Sequence, residues 1–296
     1  MPVLEDDYTL VPEQGRELPR AFPEGIVRVG DAVLASERLL TPKLAQACGL
    51  ESHAHPQGEG SVASRSSAEP CISKPVKIAA FDFDGTSITG NSPVLLVRHL
   101  ARNGMLRKSV IARIVAWGVA YKTRLPQNES WVRGLVFSAF RGKPVPQVNE
   151  YLRDFYDRSV SPRFRPRIHE EMQRHVDDGH VVVCVSATFE PIIAKMMLEH
   201  PVHFAIATRM KVDERGCYTD AVEGLPVEGE EKVAALKRFA DAVFGEDGWE
   251  LGWAYGDHHS DRSMLAAAEN AFAVTPDRPL TRTAYERGYE IIDCEA

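Results

Sequence analysis

Residues 76–86 read VKIAAFDFDGT, a nearly unbroken apolar run that ends in two aspartates one residue apart, then Gly-Thr. A run that is apolar on both alternating faces is a strand buried from both sides, as in a parallel sheet covered by helices. Carboxylates at the end of such a strand persist only beside something positive. The segment therefore predicts two things together: a doubly wound sheet, and a charged site at the carboxyl edge of its first core strand.

The rest of the chain repeats the strand pattern. HVVVCVSA (180–187), VHFAIAT (202–208), GWAYGD (252–257) and AFAV (271–274) are further short apolar strands, and helical patterns separate most of them. That alternation argues a parallel α/β sheet. MKVDERGCYTDAV reads as a hairpin turning at Arg215-Gly216. Residues 88–160 break the alternation with four helical stretches and no strand: SPVLLVRHLARNG, RKSVIARIVAWGVAYK, ESWVRGLVFSAFRG and VPQVNEYLRDFY. They predict an α-helical cap inserted after the first core strand, over the edge where ligands bind. The expected division is a core of residues 75–87 and 161–296 and a cap of 88–160. Residues 1–74 are expected to be a disordered or loosely attached tail, with at most a short helix in DAVLASERLLTPKLAQACGL. HAHPQGEGSVASRSSAEP is rich in Ser, Gly, Ala and Pro and has no periodicity.

Composition narrows the function. The chain has 296 residues, net charge −7 and 44% hydrophobic content, which is ordinary for a globular protein and argues against wholesale nucleic-acid binding. Its five cysteines are odd in number, scattered, and form no CxxC, so neither a disulfide framework nor a zinc site is expected. The start, MPVLEDDYTL, is acidic where a secretory leader is basic, and no apolar run approaches a membrane span. A cytoplasmic location is expected. The insert is locally basic, with twelve Lys and Arg against four Asp and Glu over residues 88–160. Solvated surface helices explain such a balance, and so does attraction of an anionic substrate. The basic stretch RKSVIARIVAWGVAYKTR also raises contact with an anionic lipid surface, which ranks lower. Asn91, Arg133 and Arg141 are the candidates for facing the substrate.

The strand ends carry the chemistry. The first supplies Asp82, Asp84 and Thr86, the second Ser186 and Ala187, and the fourth Asp257 followed by Asp261; a helix start supplies Lys232. Four carboxylates, a hydroxyl and an ammonium at one edge suit metal-assisted phosphoryl transfer, because a hard cation such as Mg2+ takes carboxylate and phosphate oxygens. Asp82 is the candidate nucleophile and Asp84, on the same face of an extended chain, the general acid and base. Asp82, Asp84 and Asp257 form the expected metal set, and Ser186, Ala187 and Lys232 the expected phosphate set, with Thr86 and Asp261 in support. Each has a plainer reading: strand-end aspartates cap loops, Ser186 caps a helix, and a lysine at a helix start is usually exposed. His258 and His259 are adjacent in a loop with no cysteine or histidine set to complete a zinc site.

DFDGT, VSAT, GEEKV and GDHHSD, in that order, resemble the four motifs of the haloacid dehalogenase-like superfamily. The resemblance spans residue 76 to about 293 and is similar in particular to the subfamily IB hydrolases, phosphoserine phosphatase-like proteins with a helical type-one cap. FAIATRMKVDERGCYTDAVEGLPVEGEEKV and ENAFAVTPDRPLTRTAYERGYEIID carry that closer likeness. It implies a Rossmann-like fold and a Mg2+-dependent phosphatase acting on a small phosphorylated metabolite through an aspartyl-phosphate on Asp82. The second aspartate, Asp84, fits phosphatases and some mutases rather than dehalogenases. No acidic residue lies among Thr89, Gly90, Asn91, Ser92 and Pro93, where a phosphoserine phosphatase carries a substrate-reading glutamate, so a different substrate is expected. A phosphotransferase or phosphomutase on the same site, or a non-catalytic phosphate-binding regulator, are the alternatives. No partner nucleic acid is expected.

Overall fold

The computed structural model describes residues 22–29, 33–50, 75–122 and 136–294. The strands are β1 Ile26–Val29, β2 Val33–Ser36, β3 Val76–Phe81, β4 Val181–Phe189, β5 Phe204–Val212, β6 Tyr218–Glu223, β7 Trp249–Gly256, β8 Asn270–Val274 and β9 Glu290–Ile292. They join one sheet in the order β1-β2-β5-β4-β3-β7-β8-β9, with β6 paired to β5. The run from β5 through β9 is parallel throughout. β3 sits at its centre, so the edge where β3 meets its neighbours is flanked on both sides by strand ends.

Both faces of the sheet are buried, as the unbroken apolar strands require. Val182 and Cys184 of β4 pack into one core, while Val181, Val183 and Val185 pack into the other. The first core is covered by α5 (Pro166–Asp177) and α6 (Glu190–Glu199), through Ile168, Met172, Ile192, Ile193 and Met196. The second is covered by α7 (Glu230–Phe244), α8 (Arg262–Ala267) and α9 (Arg278–Arg287), through Leu236, Phe239, Leu265 and Leu280. The expected hairpin is present: β5 and β6 pair antiparallel, and Asp213 Oδ1 accepts from the amides of Arg215 and Cys217 at the turn.

Between β3 and β4 lie α2 (Ser92–Arg102), α3 (Lys108–Lys122) and α4 (Val145–Phe155). Of the third expected helix, ESWVRGLVFSAFRG, only the end from Val136 lies within the described residues. α2 starts beside the carboxyl edge, the Ser92 amide donating to Asp84. Phe137 packs on Phe189 at the end of β4, the rings 4.2 Å apart. The Tyr218 hydroxyl donates to Asn149 at 2.7 Å.

The loosely attached tail does not hold for residues 26–29 and 33–36. β1 and β2 form an antiparallel pair, and β2 extends the sheet by pairing antiparallel with β5, Leu34 opposite Ala205. Ile26 enters the first core and Ala35 the second, so this segment is buried on both faces. The short helix expected over residues 31–50 shrinks to α1 (Pro42–Ala47), capped by Thr41. Segments of four residues, IVRV and VLAS, are too short a signal to declare a strand; the exposed edge of β5 supplies the pairing. The Ser- and Gly-rich stretch after it lies outside the described residues. Among the described residues no helix is long and apolar enough to cross a membrane.

Candidate active site

Asp82 follows β3 directly, at the centre of the carboxyl edge. Its amide donates to the Tyr255 carbonyl at 3.0 Å and its own carbonyl accepts from the Ser87 hydroxyl at 2.6 Å, so the backbone that presents its side chain is pinned on both sides. The carboxylate is nearly buried, at 6% exposure. Lys232, in the first turn of α7, donates from Nζ to Asp82 Oδ1 at 2.5 Å and to Asp261 Oδ1 at 2.6 Å. Asp257, just past β7, accepts from the Thr86 hydroxyl at 3.0 Å. Asp82, Asp257 and Asp261 each bring an oxygen within 4.8 Å of the others.

Two glycines make that approach possible. Gly85 has φ +81, and a Cβ there would lie 2.0 Å from Asp257 Oδ2; a Cβ on Gly256 would lie 2.6 Å from the Asp261 Cβ. Nothing larger fits between the aspartate loop and the carboxylates opposite it.

Asp84 stands apart from the three-carboxylate cluster. Its side chain accepts from the Thr188 hydroxyl at 2.5 Å, from the Ser92 amide at 2.5 Å and from the Ser92 hydroxyl at 3.1 Å. The expected metal set of Asp82, Asp84 and Asp257 thus differs from the side chains brought together, in which Asp261 takes the third place. Ser186 is buried within β4, three residues before its end, its hydroxyl accepting from the Thr188 amide at 3.0 Å. The β4–β5 register shifts between Ser186 and Phe189, which releases Ala187 and Thr188 from pairing with β5. Ala187 therefore contributes backbone, not a side-chain contact. Asn91 uses its side chain to cap α2, and Arg141 pairs with Asp220 in an exposed position. Arg133 lies outside the described residues. His258 bonds Ser260 and His259 bonds Arg262.

Two residues of the site escaped the sequence reading. Thr188 and Ser92 hold Asp84, yet both look like ordinary helix-entry residues. The available signal is weak: Thr188 lies two residues beyond Ser186, and Ser92 starts the first insert helix.

Charge in the cluster is unbalanced. Burial raises the pKa of Asp82; Lys232 pulls it down, and Asp261 and Asp257 push it up, leaving it well above the usual carboxylate range. Burial, followed by the charge on Asp261, pushes Asp257 up to about 6. Burial opposes the charge on Lys232, but Asp261 and Asp82 outweigh it, so the ammonium is held above its ordinary pKa. Three neighbouring carboxylates thus face one ammonium, which bonds two of them, Asp82 and Asp261. An oxygen-only donor set with surplus negative charge fits a hard divalent cation, which would keep all three ionised.

A stability signature follows. A carboxyl whose folded pKa is raised holds a proton that the unfolded chain has released, so stability falls as pH rises from the unfolded to the folded value. For Asp257, raised from 3.8 to about 6, this amounts to about 2 kcal/mol of lost stability between pH 4 and pH 7 in the metal-free protein. Denaturant unfolding in EDTA across that range should show the loss, with added Mg2+ stabilising more at pH 7 than at pH 5. A flat profile in EDTA would contradict this charge count.

The model of the haloacid dehalogenase-like hydrolases matches residues 79–266. The chain belongs to that family. Its fold is similar to that of a solved structure of a protein of unknown function from Bordetella pertussis, with a TM-score of 0.67 at 21% identity over 75% of this chain and 100% of the other. A phosphoserine phosphatase of Mycobacterium tuberculosis is 27% identical over 221 residues, 73% of this chain and 70% of its own length. A histidinol-phosphatase of Neisseria meningitidis is 25% identical over 231 residues, 73% of this chain and 98% of its own. The family match runs through Asp82, Asp84, Ser186, Lys232, Asp257 and Asp261.

Proposed function

We propose that this phosphatase of the haloacid dehalogenase-like family hydrolyses a small phosphomonoester through a covalent phosphate on Asp82, with Asp84 as acid and base and Mg2+ as cofactor. The observation that carries the reading is the single ammonium of Lys232 shared by buried carboxylates, with Asp82 among them and held in place through its backbone. Asp82 and Asp257 would hold the metal, and when bound it supplies positive charge that draws in the phosphate and keeps the carboxylates ionised.

In the first half-reaction an Asp82 carboxylate oxygen attacks phosphorus. The bond from phosphorus to the ester oxygen breaks, and that oxygen takes the proton of Asp84 as the alcohol leaves. In the second, Asp84 removes a proton from water, the resulting hydroxide oxygen bonds to phosphorus, and the bond to Asp82 breaks to release orthophosphate. Asp84 suits both steps. Burial raises its pKa, while the donors Thr188 and Ser92 partly offset that rise. The Lys232 ammonium and the backbone at the start of α6 face the charge that builds on the phosphoryl oxygens. The insert helices would form the cap that excludes water while the ester bond breaks.

Phosphate release from p-nitrophenyl phosphate and a panel of phosphorylated metabolites, with Mg2+ and with EDTA, tests the reading. Metal-dependent release supports it; metal-independent release, or transfer to an added alcohol in excess of release to water, overturns it. Thr188→Val keeps the shape of the side chain and removes the donor to Asp84. It should lower kcat by about 10- to 100-fold with little change in KM. An unchanged kcat would remove Thr188 from the acid–base machinery.

A further inference from the structure

The N-terminal hairpin lies outside the family-matched residues 79–266, yet it grips the helix that begins where the catalytic strand ends. α6 follows β4 without an intervening loop. Its first residue, Glu190, is buried and pairs with Arg28 of β1, Nη2 to Oε2 at 2.7 Å. Arg209 of β5 approaches the other Glu190 oxygen at 3.9 Å. The Arg28 guanidinium also lies 4.9 Å from the Phe22 ring centroid. At the far end of the helix, Arg38, just beyond β2, donates from Nη2 to the carbonyls of Met197 at 3.3 Å and His200 at 2.7 Å. Acidic side chains suit a helix start and cations its last carbonyls, so each grip uses the charge that its end of the helix favours. Between the two grips, Ile26 and Leu34 share a core with Ile192, Ile193, Met196 and Met197.

A ten-residue helix held at both ends can neither slide nor tilt without breaking one of the contacts. Two residues before Glu190 is Thr188, whose hydroxyl lies 2.5 Å from Asp84, and four residues before it is Ser186. We propose that the N-terminal hairpin is a brace, in which Arg28 and Arg38 act as positioning residues that fix α6 and with it the place where Thr188 meets Asp84. The kinetic part of this inference rests on the role given to Asp84 above; the mechanical part stands without it.

The test uses the full chain with Arg28→Gln, Arg38→Gln, the double variant and Arg28→Lys. Hydrogen exchange of the amides of residues 186–190 should quicken about 10-fold in the double variant. kcat should fall about 10-fold with KM held within about 2-fold, and Arg28→Lys should regain most of the loss. Arg38 is exposed and grips the opposite end of the same helix, so Arg38→Gln tests the brace even if Arg28→Gln folds poorly. Unchanged exchange in both single variants would overturn the brace, and so would a kcat loss that vanishes once corrected for the folded fraction. A wild-type chain that releases no phosphate from any ester would count against the phosphatase reading, while the exchange measurement would still decide the brace.

Discussion

Asp82→Asn is expected to lower the rate of phosphate release by at least about 10,000-fold, since an amide of the same shape cannot attack phosphorus. The fold should survive it. Asp82 is one of two carboxylates bonded to the Lys232 ammonium, with Asp257 close by as a third negative charge, so removing its charge relieves a surplus instead of orphaning a partner; Lys232 keeps Asp261. The metal-free variant should therefore melt at the same temperature as the wild type or above it. Phosphate release and thermal unfolding on the same preparation separate the two effects. Activity above about 1% of wild type would place the nucleophile elsewhere, and a large fall in Tm would show that the charge count at this site is wrong.

Lys232→Met is the mirror experiment and should be worse for the fold. Lys232 is buried, and its ammonium is the hydrogen-bonded cation between Asp82 and Asp261. Methionine fills a similar volume but leaves buried carboxylates uncompensated, which destabilises by about 3–5 kcal/mol where one partner of a buried pair is removed. The loss has a pH signature. Without the ammonium, the raised folded pKa of Asp82 rises further, so the folded variant binds protons that the unfolded chain releases. Stability should be recovered as pH falls and lost as pH rises, and added Mg2+ should restore part of it at neutral pH. Denaturant unfolding at pH 5 and pH 8 measures this. A variant as stable as wild type at pH 8 would mean that the lysine is not what holds the carboxylates in place.

Much of this site was legible in one dimension, because its parts are local. An apolar strand running into DFDGT says that carboxylates end a buried strand. VSAT, GEEKV and GDHHSD say the same of a hydroxyl, an ammonium and two further carboxylates. Parallel strands of one sheet bring such ends to one edge whatever lies between them. Which carboxylate does what was not local. Asp82 and Asp84 alternate along the chain alike, but the Asp84 side chain meets Thr188 and Ser92 while Asp261, 179 positions from Asp82, joins the cluster. That choice depends on a register shift at the end of β4 and on a positive-φ glycine, and neither has a period to read.

The sequence by itself determined the fold class and the residue types at the carboxyl edge of the sheet. Hydrophobic period and strand-end polarity are properties of short windows, and burial on both faces of a parallel sheet leaves its mark in each of them. Only the tertiary structure decided the fate of the N-terminal segment. IVRV and VLAS are four residues each, too short to declare themselves, and β2 gains its place from the open edge of β5 some 170 positions away. Backbone pairing between distant strands depends on which edge is left free once the core has formed, and that edge exists only in three dimensions.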